Sequence, residues 1–274
     1  TGFNTFTKQD AGSWTLSGTG TQNWAVTGGS LIGDVTSLQG NATTSGGTNV
    51  TLQGATGTYA GVVSGSGAVT ITLIGTTSSI TGAISTAVAS NIVRLNQAGN
   101  GTYSGVLSGS GVLQLQGGGN ITLSGNNTYT GSTALSGAGT SLIGTSSPIQ
   151  GDISTAASTD VTFTQGAGGT YAGILSGGGS LAITNTGAGT LALTGVNTYT
   201  AGTTISGGST VSIDAESGLG NAAGALTLNS GTLTYNNAIA TTRTTTLSGA
   251  GTINSGANVS MTGVISGAGA LTKT

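Results

Sequence analysis

The 274-residue sequence has no cysteine, no histidine and a single proline. Without cysteine there can be no disulfide, and without either residue type the usual zinc ligands and histidine-activated nucleophiles are missing. Charge is also scarce, because four basic and six acidic side chains leave a net charge of −2. The basic residues are scattered, whereas phosphate binding requires clustered lysine and arginine, so nucleic acid is not expected as a partner. These basic residues are Lys8, Arg94, Arg243 and Lys273.

Glycine is abundant, at 54 positions, and apolar residues make up 35% of the chain. A disordered chain would be poor in valine, isoleucine and leucine and rich in charge, and this chain shows the opposite charge pattern. We therefore expect it to fold. No run of about 18 apolar residues predicts a membrane helix, and helical spacing with caps is not found, so the fold is expected to be all-β.

One phrase recurs along the chain. It reads GTYSGVLSGSGVLQLQG at 101–117, GTYAGVVSGSGAV at 57–69, GTYAGILSGGGSL at 169–181 and, in weaker form, VSMTGVISGAGAL at 259–271. A reduced pattern, with an apolar residue two positions on either side of a glycine, is more frequent. Its glycines are Gly33, Gly61, Gly82, Gly105, Gly151, Gly173 and Gly263, with looser versions at Gly131 and Gly202. Ten equal steps between Gly33 and Gly263 would each span about 23 residues, which is the predicted period of the repeat.

The residues around each glycine indicate which side of the strand faces inward. Positions two before and two after it are apolar, as at Tyr103 and Leu107, whereas the position directly after it accepts Asp34 or Asp152. Because side chains alternate faces along a strand, the two apolar positions and the glycine share one face. That face is predicted to be buried, and the glycine is predicted to leave room for a neighbouring tyrosine ring.

Short alternations of apolar residues between the glycine phrases predict further half-buried strands. They are Val69/Ile71/Leu73, Leu113/Leu115, Ile121/Leu123, Leu181/Ile183, Leu191/Leu193, Val211/Ile213 and Leu226/Leu228. A repeat unit of this size cannot close a core alone, but units stacked in parallel can. The sequence therefore predicts a right-handed parallel β-helix (a β-solenoid) of about 12 coils with about 23 residues each. An antiparallel all-β sandwich competes, although that fold does not require like residues to recur at one period.

Two longer segments carry a family resemblance. They are GGGNITLSGNNTYTGSTALSGAGTSL at 117–142 and GAGTLALTGVNTYTAGTTISGGSTVSI at 187–213. Together with the GTYxGxLSGSGxL copies, and over about two thirds of the chain, they resemble the passenger-associated repeats of Gram-negative autotransporters. The resemblance implies a β-helical passenger domain that is exported by type V secretion and is found at the cell surface or secreted. It also implies a C-terminal translocator barrel as a partner in the full-length protein.

The resemblance also shapes the expected domain organisation. Residues 1–274 are expected to be a single β-solenoid fragment of a longer passenger. The final ALTKT at 270–274 stops inside the phrase that runs on at 180–195, which predicts a C-terminus cut inside a repeat. Residues 1–25 contain four aromatic residues and would form either an N-terminal cap or an ordinary coil, which we favour. These aromatic residues are Phe3, Phe6, Trp14 and Trp24.

Catalytic chemistry has few candidates. Hydrolysis of a glycosidic bond needs two carboxylates about 5 to 10 Å apart, and Asp214 and Glu216 meet that spacing if SIDAES is one extended strand. A solvated acidic turn is the preferred interpretation of this segment. Asp34 and Asp152 occupy outward positions in coils that are about five strand spacings apart, so they cannot form a pair. No catalytic residue, cofactor site or metal site is therefore predicted.

Two polar patterns are open to a binding interpretation. Asn126, Asn127 and Asn197 of the NTYT segments could contact a ligand, but asparagine is more typical of turns and of amide ladders between coils. Thr-x-Thr pairs such as Thr70/Thr72 could form an ice-binding face, but no such pair is evident coil after coil. Neither pattern is predicted to be a site.

What remains is a long, nearly neutral surface rich in serine, threonine, asparagine and glycine, which offers many weak and similar contacts. We expect a non-enzymatic passenger fragment that acts as an adhesin or a self-associating stalk. Its partner would be another solenoid, or a glycan or protein of a host surface, and strands unpaired at its ends could stack end to end into filaments. Two alternatives stay open. One is a scaffold for an activity in a missing domain, and the other is a polysaccharide-active enzyme that uses Asp214 and Glu216.

Overall fold

A computed structural model of the chain describes residues 4–53, 58–67, 70–75, 77–184 and 187–274. Phe3, Gly57 and Val69, which belong to the sequence patterns above, lie outside the described residues. The chain forms two compact units, Thr1–Thr140 and Ser141–Thr274. Each unit is built from short β-strands, and the helical segments among the described residues are two 3-10 turns, η1 (Thr77–Ser79) and η2 (Glu216–Leu219).

The described part of the first unit holds sixteen short strands in chain order. They are β1 (Thr5–Lys8), β2 (Ser13–Thr15), β3 (Asn23–Val26), β4 (Ser30–Asp34), β5 (Ala42–Thr44), β6 (Asn49–Gln53), β7 (Val63–Gly65), β8 (Thr70–Ile74), β9 (Ile84–Thr86), β10 (Ile92–Asn96), β11 (Gly101–Tyr103), β12 (Leu107–Gly109), β13 (Val112–Gln116), β14 (Asn120–Leu123), β15 (Thr128–Tyr129) and β16 (Thr133–Leu135). Sheet A has the order β1-β3-β5-β7-β9-β12-β15, and sheet B has the order β2-β4-β6-β8-β10-β13-β16. Strands β11 and β14 pair separately.

The second unit continues the numbering with seventeen strands in its described residues. They are β17 (Ser141–Gly144), β18 (Ile153–Thr155), β19 (Asp160–Phe163), β20 (Gly169–Tyr171), β21 (Leu175–Gly177), β22 (Ser180–Thr184), β23 (Thr190–Leu193), β24 (Thr203–Ser206), β25 (Thr210–Ile213), β26 (Leu226–Asn229), β27 (Gly231–Tyr235), β28 (Ile239–Thr241), β29 (Thr245–Leu247), β30 (Gly251–Ser255), β31 (Val259–Met261), β32 (Ile265–Gly267) and β33 (Leu271–Lys273). Sheet C has the order β17-β19-β22-β24-β26-β29-β32, and sheet D has the order β20-β23-β25-β27-β30-β33. Two shorter pairs are β18-β21 and β28-β31.

Strands of one sheet are parallel and belong to successive turns of the chain. Together the two units hold about 13 such turns, which confirms the predicted parallel β-solenoid. The turns are shorter than the glycine spacing suggested. Ser13 pairs with Ser30 across a short turn near the N-terminus, whereas Ile84 pairs with Leu107 across a distinctly longer one. The predicted period matches the longest of these turns rather than their mean, and this is why the chain holds slightly more turns than expected.

The interior is formed by the alternate residues that the sequence pattern assigned to it. Tyr103, Leu107 and Ile153 are at most 3% exposed, and Asp152, directly after a glycine, is exposed. The weak copy of the phrase at the C-terminal end is an exception, because Ile265 keeps 41% of its surface exposed. The predicted inward and outward faces are confirmed at the other described copies of the phrase.

The glycines of the phrase stack one above another in what we call the glycine column. A Cβ added to a column glycine other than Gly40 or Gly151, the first members in each unit, would collide with the carbonyl oxygen of the glycine one turn earlier. The members are Gly40, Gly61, Gly82, Gly105 and Gly125 in the first unit and Gly151, Gly173 and Gly195 in the second. Gly33 was assigned to this series from its sequence pattern, and that assignment is wrong. Gly33 lies in β4 of sheet B. The residue that stacks under Gly61 is instead Gly40.

Strands β1 and β2 pair in register with β3 and β4, as strands of an ordinary coil do. Phe6 and Trp14 nevertheless keep about two fifths of their surface exposed, and the ring of Trp24 lies 5.3 Å from that of Phe6. Beneath these rings the fully buried Lys8 amine donates hydrogen bonds to the Gly28 carbonyl and to Asp10. All three donor positions of the buried ammonium group are thus used.

Candidate functional surface

The outward side of sheet D carries an unbroken row of threonines, which we call the threonine row. Each member is the Cα partner of the next in neighbouring strands. The row consists of Thr190, Thr210, Thr232, Thr252 and Thr272. Two residues further along the same strands lies a second outward row, made of Ala192, Ser212, Thr234 and Asn254. Apart from Ala192 at the end of the second row, the two rows form a regular polar grid on one face of the second unit.

The geometry of the grid follows from strand pairing. Neighbouring strands are about 4.8 Å apart and alternate residues of one strand are about 6.6 Å apart, so the polar groups are evenly spaced in two directions. Threonine is branched at Cβ, which restricts its χ1 angle and keeps the hydroxyls oriented. The hydroxyls of the threonine row form no hydrogen bond to any described residue and are therefore available to a partner.

The outward faces of sheets A and B differ from that of sheet D in how their polar groups are used. In sheet A the Thr43 hydroxyl donates to the Trp24 carbonyl at 3.3 Å, and the Ser66 hydroxyl that follows β7 donates to the Thr44 carbonyl at 3.2 Å. In sheet B the Arg94 guanidinium donates two hydrogen bonds to the side chain of Gln114. Sheet C has a similar outward row that is interrupted by alanine. This row is Thr162, Ala182, Thr204, Thr227, Thr246 and Ser266.

The expectation that Thr-x-Thr pairs do not recur coil after coil also holds in sheet D, where one threonine recurs in each strand but the pair does not. Thr232 and Thr234 of β27 lie beside Thr210 and Ser212 of β25. The sequence steps from one strand of sheet D to the next are unequal, so a search at one fixed period does not align the single threonines either. For Thr70/Thr72 the expectation holds, because the next strand of sheet B places Ile92 and Arg94 beside them.

Asp214 and Glu216 do not form the carboxylate pair of one strand face. Strand β25 ends at Ile213, and Glu216 begins the η2 turn, so SIDAES is not one continuous strand. The Asp214 carboxylate accepts a hydrogen bond of 2.8 Å from the Asn236 amide. The Glu216 carboxylate instead forms an ion pair with Arg243, with 2.7 Å between Oε1 and Nε. The premise of the enzyme alternative, a dyad on an extended strand, is therefore incorrect.

Arg243 is the polar residue that sequence reasoning missed. It is 2% exposed, and its guanidinium donates to Glu216 and to the carbonyls of three residues in the preceding turn. These are Gly220 at 3.1 Å, Asn221 at 2.9 Å and Gly224. A buried cation needs such partners because an unpaired one would be strongly destabilising. Glu216 lies more than a full turn earlier in the sequence, so no local spacing pattern indicates the ion pair.

Asp34 and Asp152 both accept hydrogen bonds from backbone amides. The Thr36 hydroxyl and the backbone amides of Ser37 and Thr36 donate hydrogen bonds to Asp34, and these bonds hold the pKa of its carboxyl well below the usual range. Asp152 accepts a hydrogen bond of 2.8 Å from the backbone amide of Ile174 in the next turn. The two aspartates lie in different units.

The asparagines of the NTYT segments bridge neighbouring turns. Asn127 is 5% exposed, and its Oδ1 accepts a hydrogen bond from the Leu107 amide at 2.9 Å. Asn197 is 3% exposed, accepts from the Leu175 amide at 2.7 Å and donates to the Gly218 carbonyl at 2.8 Å. These two residues thus connect neighbouring coils through backbone groups rather than through a ladder of side-chain amides, whereas Asn126 is exposed.

Across the described ranges, no three His, Cys, Asp or Glu side chains come together in a way that could hold a metal ion. Within the same ranges no helix is long and apolar enough to cross a membrane. The observations thus define a parallel β-solenoid with a polar outward grid. The chain matches no protein-family model, no curated protein and no solved structure.

Proposed function

We propose that the chain is part of an autotransporter passenger that acts at the cell surface without enzymatic activity, as an adhesin or self-associating stalk. Three features support this proposal: the repeat phrases that resemble those of passengers, the β-solenoid fold, and the threonine row. The threonine row carries most of the weight, because it is a regular face whose hydroxyls have no partner among the described residues.

The size of the grid favours weak contacts that act in large numbers. Five strands span about 20 Å, and two outward residues per strand give a width of about 10 Å. The area of the grid is therefore well below the roughly 800 Å² per partner that a stable protein interface buries. Many copies on one cell that meet many copies on another would compensate by multivalency. A net charge of −2 leaves little electrostatic repulsion to oppose such contacts.

Surface display of residues 1–274 on a host cell tests the proposal. Cells that display the wild-type chain are expected to clump, and the Thr232→Lys variant, with a charge at the centre of the threonine row, should abolish clumping. Val196→Lys is the matched control. Residue 196 is 64% exposed and lies outside the row, so the same added charge should leave clumping unchanged.

Mixing displaying and non-displaying cells distinguishes the partners. Clumps that contain only displaying cells indicate solenoid-to-solenoid contact, whereas mixed clumps indicate a ligand on the bare cell, and added free glycan should then compete. If wild-type chain is folded on the surface and the cells stay dispersed and bind no host cell, the adhesive function is wrong.

A further inference from the structure

In a stack of similar turns, a strand can pair with the wrong neighbour, because several strands offer it similar partners. In sheet D the inward partners are Leu191, Val211, Leu233 and Ile253, and each lies next to a member of the threonine row. A strand that paired one turn too early would exchange one aliphatic residue for another and threonine for threonine. The apolar contacts and the backbone ladder therefore discriminate weakly between the correct register and a register shifted by one turn.

Arg243 contacts groups that occur only once. Its guanidinium reaches back to the Gly220, Asn221 and Gly224 carbonyls, and its Nε pairs with Glu216. These four acceptors all belong to the irregular segment 214–225 between β25 and β26, which contains the η2 turn. No other turn of the second unit offers the same set of acceptors among its described residues. The Glu216 carboxylate also accepts from the Thr241 hydroxyl at 2.8 Å, and this hydroxyl accepts from the Arg243 amide at 3.0 Å.

We propose that Arg243 and Glu216 set the pairing register of the C-terminal turns of the second unit. In the correct register four of the five guanidinium N–H groups are hydrogen-bonded, one of them to the Glu216 carboxylate. In a register shifted by one turn, the side chain would face a turn without Glu216 and would be buried without a counter-charge, which is strongly unfavourable. Single buried polar groups fix register in other repetitive assemblies for the same reason. This inference does not depend on the adhesive function proposed above.

Two cysteine pairs can report the register, because the chain contains no cysteine of its own. Thr232 and Thr252 are Cα partners in adjacent strands, so a Thr232→Cys/Thr252→Cys protein should form a disulfide in the correct register. Thr210 and Thr252 are two strands apart, about 9.6 Å, which is too far for a disulfide. If β30 pairs with β25 instead, with the intervening turn displaced, Thr210→Cys/Thr252→Cys becomes the adjacent pair.

Each cysteine pair is placed in three backgrounds: wild type, Arg243→Met, and Arg243→Met/Glu216→Leu. Proteins are refolded at low concentration, oxidised, and analysed by mass spectrometry for intramolecular disulfides. In wild type only the 232–252 product is expected. In both variants the 210–252 product should rise by about 100-fold relative to wild type. The reason is that the shifted register no longer buries an arginine without its charge partner, and about 100-fold is the change in equilibrium ratio that this penalty corresponds to. Arg94→Met, on an outward face of the first unit, is the matched control and should leave both products unchanged.

The double variant separates register from stability, because it leaves no buried charge unpaired and is expected to fold even where Arg243→Met does not. Circular dichroism checks folding of each protein. Folded variants that form only the 232–252 disulfide would overturn the proposal and would leave the ion pair with a stabilising role alone. A double variant that fails to fold would also count against it, since a group that only sets the register is dispensable for the stability of the stack.

Discussion

The hydroxyl of Tyr103 donates a hydrogen bond of 2.7 Å to the carbonyl oxygen of Gly82, the column glycine one turn earlier. The ring of the same tyrosine lies against Gly105, two positions further along its own turn. The tyrosine therefore needs a glycine at position 105, where a side chain would collide with its ring. The carbonyl of Gly82 supplies the acceptor for its hydroxyl.

The same arrangement explains why the GTYxG phrase recurs. Tyr59 donates to the Gly40 carbonyl at 3.0 Å, and Tyr171 donates to the Gly151 carbonyl at 2.7 Å. In the sequence the phrase carries no acid, base or thiol. In the structure it is a device that fills the interior and satisfies a backbone carbonyl of the preceding turn at the same time.

Gly105→Ala should destabilise the first unit. A Cβ atom at this position would lie 2.3 Å from the Gly82 carbonyl oxygen and 2.6 Å from the Tyr103 hydroxyl oxygen. Overpacking of this kind typically costs about 1 to 3 kcal/mol in the free energy of unfolding. Urea denaturation measures the change. Gly99→Ala is the control, because nothing lies within 4 Å of its Cβ position, and an equal loss in both variants would contradict the proposed contact.

Tyr103→Phe should lower the free energy of unfolding by about 1 to 2 kcal/mol, since the substitution removes only the hydroxyl and leaves the buried Gly82 carbonyl without its donor. Tyr235→Phe provides the comparison. The Tyr235 ring is 1% exposed, but its hydroxyl has no hydrogen-bond partner in the part of the chain that the structure describes. We expect a change near zero there, and similar losses in the two variants would exclude the hydrogen bond as the cause.

Stability should fall at alkaline pH. Burial raises the pKa of Tyr59, Tyr103, Tyr199 and Tyr235 above the usual value. These tyrosines stay protonated in the folded chain, while the unfolded chain releases their protons near pH 10. Their contribution to the free energy of unfolding is therefore complete below about pH 10 and is lost as the pH rises above it.

The expected slope is about 1.4 kcal/mol per pH unit for each such tyrosine above pH 10. Urea denaturation at a series of pH values between about 9 and 11 measures it. In the Tyr235→Phe protein the slope should be smaller by about 1.4 kcal/mol per pH unit, because one of the tyrosines is missing. A free energy of unfolding that stays constant over this range would show that these phenols are accessible to solvent.

Thr245→Val should leave stability unchanged or raise it slightly. The Thr245 hydroxyl oxygen is buried and has no hydrogen-bond partner within the described ranges, so its replacement removes an unsatisfied group. Thr203→Val tests the opposite case on the same inward row of sheet C, because the Thr203 hydroxyl is hydrogen-bonded to that of Tyr199. That variant should lose about 1 to 2 kcal/mol. Thermal melting compares the stability of the two variants. If Thr245→Val melted at a lower temperature than Thr203→Val, the Thr245 hydroxyl would not be the unsatisfied one.

Much of the fold follows from local sequence rules. Alternation of apolar and polar residues correctly assigned the inward faces around Tyr103 and Ile153, because side-chain direction in a strand depends only on the parity of the position. Recurrence of like residues correctly indicated parallel stacking. The turn length was less accurate, since the glycine spacing mixed Gly33 of sheet B with the glycine column.

The candidate surface was not visible in the sequence. The members of the threonine row are separated by unequal sequence steps, so only the pairing register brings Thr210, Thr232 and Thr252 into line. Arg243 was missed for a related reason. Its partners lie in an irregular segment whose path depends on tertiary packing, and no periodic pattern predicts where such a segment places its carbonyl groups.

The hydrogen bonds of the tyrosine hydroxyls distinguish the N-terminal from the C-terminal side of each turn. Tyr59, Tyr103 and Tyr171 of the GTYxG phrase each bond to a turn already laid down rather than to the one that follows. A turn added at the C-terminal side therefore finds the acceptor of its tyrosine hydroxyl already in place, and it presents a further glycine carbonyl to the turn that follows.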